Sequence, residues 1–557
     1  MPQPDNAVLA PAEIQPGQKS HLSQTARNRT LSEDAEFAGP PARAGLLLRA
    51  SAIRRLEELA IGRGELLMER AGLAAATAAR GMLKEAAHHP ARVLVLAGPG
   101  NNGGDAFEAA VRLHEWGYAV AVCFAGDPAR FKADAARAHA KWRKRGAVLT
   151  APPPLQEYDL VIDGLFGIGL ARPLRAPYAD WIAAINEARL PVLALDIPSG
   201  LDADTGRVMG CAIRATRTIT FIADKPGLHT LYGPDHAGQI QVAPLEQRFD
   251  PPGWGASGSL VSATDYAACL RSRTANSHKG TFGTLGIVGG AVGMTGAALL
   301  AARAALHLGA GKVFIGLLDP DAPSFDSLYP ELMMRPEHTV LDMPLTAVVV
   351  GPGMGTSEIA RKSLLRALAL PCPIVLDADA LNLVAADATL QSRIARRGAA
   401  TLMTPHPLEA ARLLGSNTPQ VQEDRIASAA RLADTYKAIV VLKGAGSVVA
   451  SPHGRWWINT SGNPGMASGG MGDVLAGIAG ALLAQGFPSL ASLQCAVQLH
   501  RALQRGQRDH AGGTPHLQPL GQGKRGTHRT RAKLSHRPAA VEAAAAPCRI
   551  VLVRLPG

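Results

Sequence analysis

Short apolar runs alternate with helix-length segments twice along this chain. The first series lies at 93–96, 119–124, 160–162, 192–195 and 219–222; the second at 285–288, 313–317, 347–350, 374–376, 401–403 and 439–442. Runs apolar throughout, rather than at every second residue, belong to strands buried on both faces. Strands of that kind occur in parallel sheets with helices packed on each side. Between the series stands Asp250-Pro251-Pro252-Gly253-Trp254-Gly255, a linker by composition. A chain of 557 residues also exceeds what one core usually organises. The expectation is therefore two α/β domains, at 46–245 and 260–500, joined by a linker at 246–259. A helical pattern is expected from Leu46 onward. Residues 1–45, rich in Ala, Pro, Gln and Ser without apolar periodicity, read as a disordered extension. The run 296–307 is dominated by alanine, which would let a helix sit close to the sheet or to a ligand.

Charge and cysteine content narrow the function classes. The net charge of +12 would point to nucleic acid if it were spread over the folded body. It is not: from Arg501 onward eleven Lys or Arg face only Asp509 and Glu542, leaving the preceding residues close to neutral. That stretch loses apolar periodicity, and 501–557 reads as an atypical basic tail of the kind a shifted reading frame produces. The six cysteines are scattered without a CxxC pair, which suits a reducing cytoplasm and gives neither a zinc nor a disulfide signature. No apolar run is long enough to span a membrane, and no secretory signal pattern opens the chain. Neither a nucleic-acid nor a membrane partner is expected.

The densest chemistry lies in Gly462-Asn463-Pro464-Gly465-Met466-Ala467-Ser468-Gly469-Gly470-Met471-Gly472-Asp473, followed by the apolar Val474-Leu475-Ala476-Gly477-Ile478. Glycines let the backbone approach a ligand, and the helix that follows offers unpaired N–H groups and a positive dipole end to an anion. Asp473 at that mouth is placed to take a proton from a substrate hydroxyl. The plainer alternative is that Asp473 caps the helix, but capping alone does not require so many glycines.

Polar motifs sit at other strand ends, where parallel sheets bind ligands. In the first series these are Gly98-Pro99-Gly100-Asn101-Asn102-Gly103-Gly104-Asp105, opening a helix expected over 106–114, then Asp163-Gly164-Leu165-Phe166-Gly167-Ile168-Gly169 and Asp196-Ile197-Pro198-Ser199-Gly200. Asp105 with Glu108 also fits a capping box, which leaves the paired Asn unexplained. Oxygen atoms of Asn102, Asp163 and Ser199 are suited to converge on a hard cation. In the second series the motifs are Asn276-Ser277-His278-Lys279-Gly280, Gly351-Pro352-Gly353-Met354-Gly355, Asp377-Ala378-Asp379, Thr404-Pro405-His406-Pro407 and Lys443-Gly444-Ala445-Gly446-Ser447. Lys443 can neutralise phosphate charge while the adjoining glycines donate N–H groups.

GNNGGD, DGLFGIG and DIPSGLDADTG resemble the epimerase domain of the bifunctional NAD(P)H-hydrate repair enzymes over about 46–245. The second set resembles the dehydratase domain of the same family, a ribokinase-like fold, over about 260–500. The resemblance implies a Rossmann-like three-layer α/β/α domain followed by a ribokinase-like α/β domain. It also implies metabolite repair: interconversion of R- and S-NAD(P)H hydrate (NADHX and NADPHX), then dehydration of the S form at the expense of ADP, giving AMP and phosphate. Bacterial relatives use ADP and eukaryotic ones ATP. Carried across, Asn101, Asn102, Gly103, Gly104, Asp105, Gly167, Ile168, Gly169, Leu170, Ala171, Arg172 and Pro173 would contact the hydrate, with Asp196 as acid/base. Asn102, Asp163 and Ser199 would hold potassium. In the second domain Ala297, Gly355 and His406 would bind the S-hydrate, and Lys443, Gly444, Ala445, Gly446, Ser447 and Gly472 the adenine nucleotide with its magnesium. Asp473 would be the base. A homo-oligomer in the cytoplasm is expected. The sequence departs from the family pattern at Arg70 (usually Asn), Ala106 (usually Gly) and Met471 (usually a small residue). The alternatives are a ribokinase-like small-molecule kinase with a non-catalytic N-terminal binding domain, a scaffold, and the inactive product of a damaged frame.

Overall fold

The computed structural model describes residues 45–84, 91–246, 258–270 and 272–510. The expected extension before residue 45, most of the linker and the tail beyond 510 lie outside the described residues. Two sheets organise the rest. The first has seven strands, in the order Val148–Leu149, Ala119–Cys123, Arg92–Ala97, Leu160–Gly164, Val192–Leu195, Arg217–Phe221 and Gln239–Ala243, all parallel. Alternate residues of its central strands feed two cores: Val93, Val95 and Ile162 on one face, Leu94, Leu96 and Val161 on the other. Burial on both faces is why these strands read as continuous apolar runs.

The second sheet has eleven strands in the order Leu46–Leu47, Gly258–Leu260, Trp456–Asn459, Ser447–Ala450, Ile439–Leu442, Thr401–Met403, Ile374–Leu376, Ala347–Val350, Thr284–Gly289, Lys312–Leu317 and Met333–Pro336. It is parallel from Ile439–Leu442 through Met333–Pro336, and Ser447–Ala450 runs antiparallel to both its neighbours. The helices Thr295–His307 and Met471–Ala484 cover one face, packed closely enough that a Cβ on Gly477 would lie 2.1 Å from the carbonyl oxygen of Ala301. The alanine-rich character of 296–307 is thus spent on helix–helix proximity.

In both sheets the chain winds outward in two directions from a central strand. The reversal falls between Arg92–Ala97 and Leu160–Gly164 in the first, and between Thr284–Gly289 and Ala347–Val350 in the second. Such switch points leave a crevice at the carboxyl ends of the strands; the motifs at 98–105 and 163–169 border the first and the motif at 351–355 borders the second.

Three local expectations are corrected. Leu46–Leu47 is not helical; it is an edge strand of the second sheet, paired antiparallel with Gly258–Leu260, and the helix begins at Ala50. Leu47 faces the core of the second sheet while Leu46 and Leu48 face that of the first, so consecutive leucines are buried on opposite sides. The GNNGGD helix starts at Asn101 rather than Ala106. Its glycines permit close packing: a Cβ on Gly103 would lie 1.8 Å from the Gly98 carbonyl oxygen, and one on Gly104 2.5 Å from Met68. Finally, the last helix, Ser489–His510, runs through residue 500. Arg, Leu and Gln sustain a helix once residues 489–500 have begun it, and no proline intervenes before Pro515.

Candidate active sites

In the first crevice Asp196 follows the strand Val192–Leu195 with a left-handed φ of 67°. A fully buried ammonium, Lys225, meets its Oδ1 at 2.7 Å and also donates to Thr220 Oγ1 and to the carbonyls of Phe221 and Ala223. The other carboxylate oxygen of Asp196 lies toward Gly167, where a Cβ would sit 3.2 Å from it and 3.4 Å from Asn102. The structure thus brings Asn102, Gly167 and Asp196 together. Ile168 is held by Arg54, which donates to its carbonyl at 2.8 Å, and the Leu170 N–H turns back onto the Gly167 carbonyl. Gly169, Ala171, Arg172 and Pro173 lie exposed further along that loop, and Asn101 is exposed at the helix start. Gly103 and Gly104 are buried and serve packing. Asp105 lies in the second turn of its helix and Glu108 pairs with Lys141, so the two form no capping box. Burial, with Asp196 and Glu57 close by, pushes the Asp105 carboxyl well up.

Asp163 is fully buried and accepts from Ser199 Oγ at 2.6 Å, Ser199 N at 2.8 Å and Leu165 N at 3.3 Å. All three donors are neutral, and burial raises its carboxyl to about 6 despite them. Ser199 also accepts from the Phe166 N–H at 2.8 Å, in the residue before Gly167, where a Cβ would lie 3.4 Å from Asn102. Asn102 Nδ2 donates to the Leu195 carbonyl, while its Oδ1 is buried without a partner. A buried acceptor without a partner and a buried carboxylate without a cationic partner among the described residues, both at the ends of the central strands, suit a monovalent cation.

In the second crevice Asp473 lies in the first turn of Met471–Ala484, whose N-cap is Gly470 with φ 84° and no side-chain cap bond. Asp473 is therefore not the cap. Burial and the negative charge of Asp377, opposed by Lys443, raise its carboxyl to about 6. Lys443 Nζ contacts Asp377 Oδ1 at 2.8 Å and Glu409 Oε2 at 3.9 Å. Burial works to lower that ammonium's pKa, but the two carboxylates prevail and hold it above its usual value. A Cβ on Gly472 would stand 3.1 Å from Lys443 Nζ and 3.4 Å from Asp377 Oδ2, so lysine, aspartate and helix mouth meet. Ser447 Oγ closes the loop 443–447 on Gly444, accepting from its N–H and donating to its carbonyl.

Gly355, with φ 67°, donates its N–H to Asp379 Oδ2 at 2.9 Å, and Ala297 lies against Gly353 in the same crevice. His406 is the N-cap of Pro407–Leu413, its Nδ1 accepting from the Leu408 and Glu409 N–H groups and its Nε2 lying 3.3 Å from Glu409 Oε1. Burial and Lys443 lower its pKa, and because Nδ1 accepts two N–H bonds the ring hydrogen belongs on Nε2.

Sequence reading missed four groups. Glu57, on the helix Ala50–Gly62, is pushed up to about 7 by burial and Asp196. Lys225 neutralises Asp196. Glu409 is buried and pushed up to about 7. Asp377, though within a noted strand end, proves to be the partner of Lys443. Glu57 and Glu409 sit on helices at spacings like those of any solvated face, and no local signal separates them. Asp-Lys-Pro-Gly at 224–227 was the readable one, a lysine in an apolar surround just past a strand.

Comparison with known proteins agrees with the division into two sheets. Residues 285–517 match the NAD(P)H-hydrate dehydratase family model, and 64–227 match the YjeF-related protein N-terminus. The bifunctional NAD(P)H-hydrate repair enzyme Nnr of Coxiella burnetii is 38% identical over 468 residues, covering 80% of this chain and 92% of that protein. The Escherichia coli enzyme of the same name is 38% identical over 431 residues, covering 75% of this chain and 80% of that one. A crystal structure of the ADP/ATP-dependent NAD(P)H-hydrate dehydratase from Bacillus subtilis, co-crystallised with ATP and Mg2+, has 30% identity and a TM-score of 0.41, covering 47% of this chain and 92% of its own. With both halves matched in order and 92% of the Coxiella burnetii relative covered at 38% identity, this chain belongs to the family of bifunctional NAD(P)H-hydrate repair enzymes.

Proposed function

We propose that the two crevices work in sequence on a damaged coenzyme, the first exchanging R- and S-NAD(P)H hydrate and the second dehydrating the S form with ADP. In the first, inversion needs the carbon–hydroxyl bond to break and re-form on the other face. Asp196 Oδ2, left open by the pairing of Oδ1 with Lys225, gives and takes the proton that accompanies this. In the second, Asp473 removes the proton as the ring hydroxyl oxygen bonds to the terminal phosphorus and AMP departs. Phosphate then leaves with the carbon–oxygen electron pair, and loss of the adjacent proton restores the double bond. Lys443 and the first turn of Met471–Ala484 hold the negative charge, and catalysis rests on positioning and charge neutralisation. The observation that carries this reading is the meeting of Lys443, Asp377 and Gly472 beside the uncapped carboxylate of Asp473.

Magnesium fits the second crevice: Asp377, Asp379, Glu409 and Asp473 outnumber Lys443, an imbalance that a divalent ion on the nucleotide's phosphates offsets. Asp377 and Asp379 would hold it with those phosphates, where it would neutralise developing charge. Potassium would be held by Asn102, Asp163 and Ser199, filling the position of the unpartnered Asn102 Oδ1. Its role would be to compensate the Asp163 carboxylate and stiffen the loop at Phe166 and Gly167. Exchanging sodium for potassium should therefore raise the thermal midpoint by roughly 4 °C at ten times the dissociation constant. The shift should vanish in Asp163→Asn, and a wild-type midpoint indifferent to potassium would remove the site. A cytoplasmic homo-oligomer belongs to the same reading.

The direct test is incubation with mixed NADHX epimers, magnesium and either ADP or ATP, following NADH absorbance. Complete conversion of both epimers is expected. No NADH with either nucleotide would overturn the proposal, and recovery of the S share alone would remove its first half.

A further inference from the structure

The loop 443–447 is shaped by the first α/β unit. Thr230, fully buried, belongs to the segment 224–231 that follows the strand Arg217–Phe221 of the first sheet. Its Oγ1 donates toward the carbonyls of Gly446 at 3.1 Å and Ala445 at 3.3 Å, and accepts from Arg425 Nε at 3.0 Å. The Leu231 N–H donates to the Ala445 carbonyl at 3.1 Å. Arg425, 2% exposed, completes the bracket by donating to the carbonyls of Leu442 and Lys443 at 3.2 and 3.3 Å. Gly446 has φ 61°, and a Cβ there would stand 1.9 Å from the His229 carbonyl oxygen, so backbone lies directly on backbone.

These bonds fall on one side of the loop. Across a planar trans peptide the N–H points opposite to the carbonyl. Drawing the Ala445 carbonyl toward Thr230 and Leu231 therefore turns the Gly446 N–H the other way. The preceding carbonyls of Leu442 and Lys443 are pinned to Arg425 in the same manner.

We infer that Thr230, with Arg425, is a positioning residue for the nucleotide loop, so that the first unit completes the nucleotide site of the second. This rests on reading 443–447 as the nucleotide loop. Thr230 touches neither substrate nor nucleotide; it sets peptide orientation. Preorganised donors bind an anion without a reordering cost, and loss of that order appears in affinity before it appears in chemistry.

The test is dehydration kinetics of the full chain with S-NADHX, magnesium and varied ADP. Thr230→Ala should raise the KM for ADP about tenfold and leave kcat within about threefold, with Thr230→Ser restoring the wild-type KM. Arg425→Gln, altered from the other side of the bracket, should shift the ADP KM in the same direction and serves as the test if Thr230→Ala does not fold. An ADP KM within about twofold of wild type in both folded variants would overturn the inference. Lys443→Ala separates the two levels. If it weakens ADP binding while Thr230→Ala and Arg425→Gln do not, the bracket is refuted and the loop reading stands. If Lys443→Ala leaves ADP binding untouched, the loop reading fails and the inference with it.

Discussion

Asp473→Asn should lower S-NADHX dehydration by about 1,000-fold while leaving epimer interconversion within about twofold of wild type. The substitution keeps shape and volume at a half-buried position in the first turn of Met471–Ala484. No cap bond is lost, because Gly470 is the N-cap and no side chain caps that helix. What disappears is the proton acceptor. In the wild-type protein that acceptor has its pKa raised to about 6 by burial and by Asp377, against the pull of Lys443. A base must be ionised to act, so dehydration should fall as pH drops through about 6 and level off above it. The residual activity of Asp473→Asn should lack that inflection. Simultaneous loss of both activities would contradict separate crevices, and an unchanged dehydration rate would remove Asp473 from the chemistry.

Asp196→Asn should slow interconversion by about 100-fold or more, with dehydration of the S form preserved. Recovery of NADH from mixed epimers would then halt once the S share is spent. This variant also carries a stability cost, because Lys225 is fully buried and Asp196 is its ionised partner at 2.7 Å. An unpaired buried ammonium typically costs about 3 kcal/mol, softened here by the acceptors Thr220, Phe221 and Ala223. Thermal melting therefore accompanies the assay, which is run well below the variant's midpoint. Adding Lys225→Met should recover part of the stability without restoring interconversion. Interconversion at the wild-type rate in folded Asp196→Asn would dismiss Asp196 as the acid/base.

The readable and unreadable parts divide by the range of the interactions concerned. The inner parallel strands were legible because burial on both faces leaves an uninterrupted apolar run. Val148–Leu149, Gln239–Ala243 and Met333–Pro336, at the sheet edges, are too short or too polar to read. The polar motifs were legible as site candidates because a parallel sheet gathers strand ends on one edge. Leu46–Leu47 misled, since two leucines say nothing of a partner strand more than two hundred residues away. The start of the GNNGGD helix misled as well: it was expected at Ala106, whereas Gly103 and Gly104 lie inside a helix that begins at Asn101, where Gly98 and Met68 press against them.

From sequence alone came the two-unit α/β architecture, the strand ends and Asp473 as the carboxylate at a helix mouth, all governed by periodicity and local turn chemistry. Only the folded chain decided that Lys225 neutralises Asp196, that Asp377 pairs with Lys443, that Glu57 is half-buried near Asp196 and Glu409 buried, and that Thr230 backs a loop in the other unit. Those depend on contacts between residues distant in the chain, where burial and opposing charge set protonation and orientation, and no local pattern encodes either.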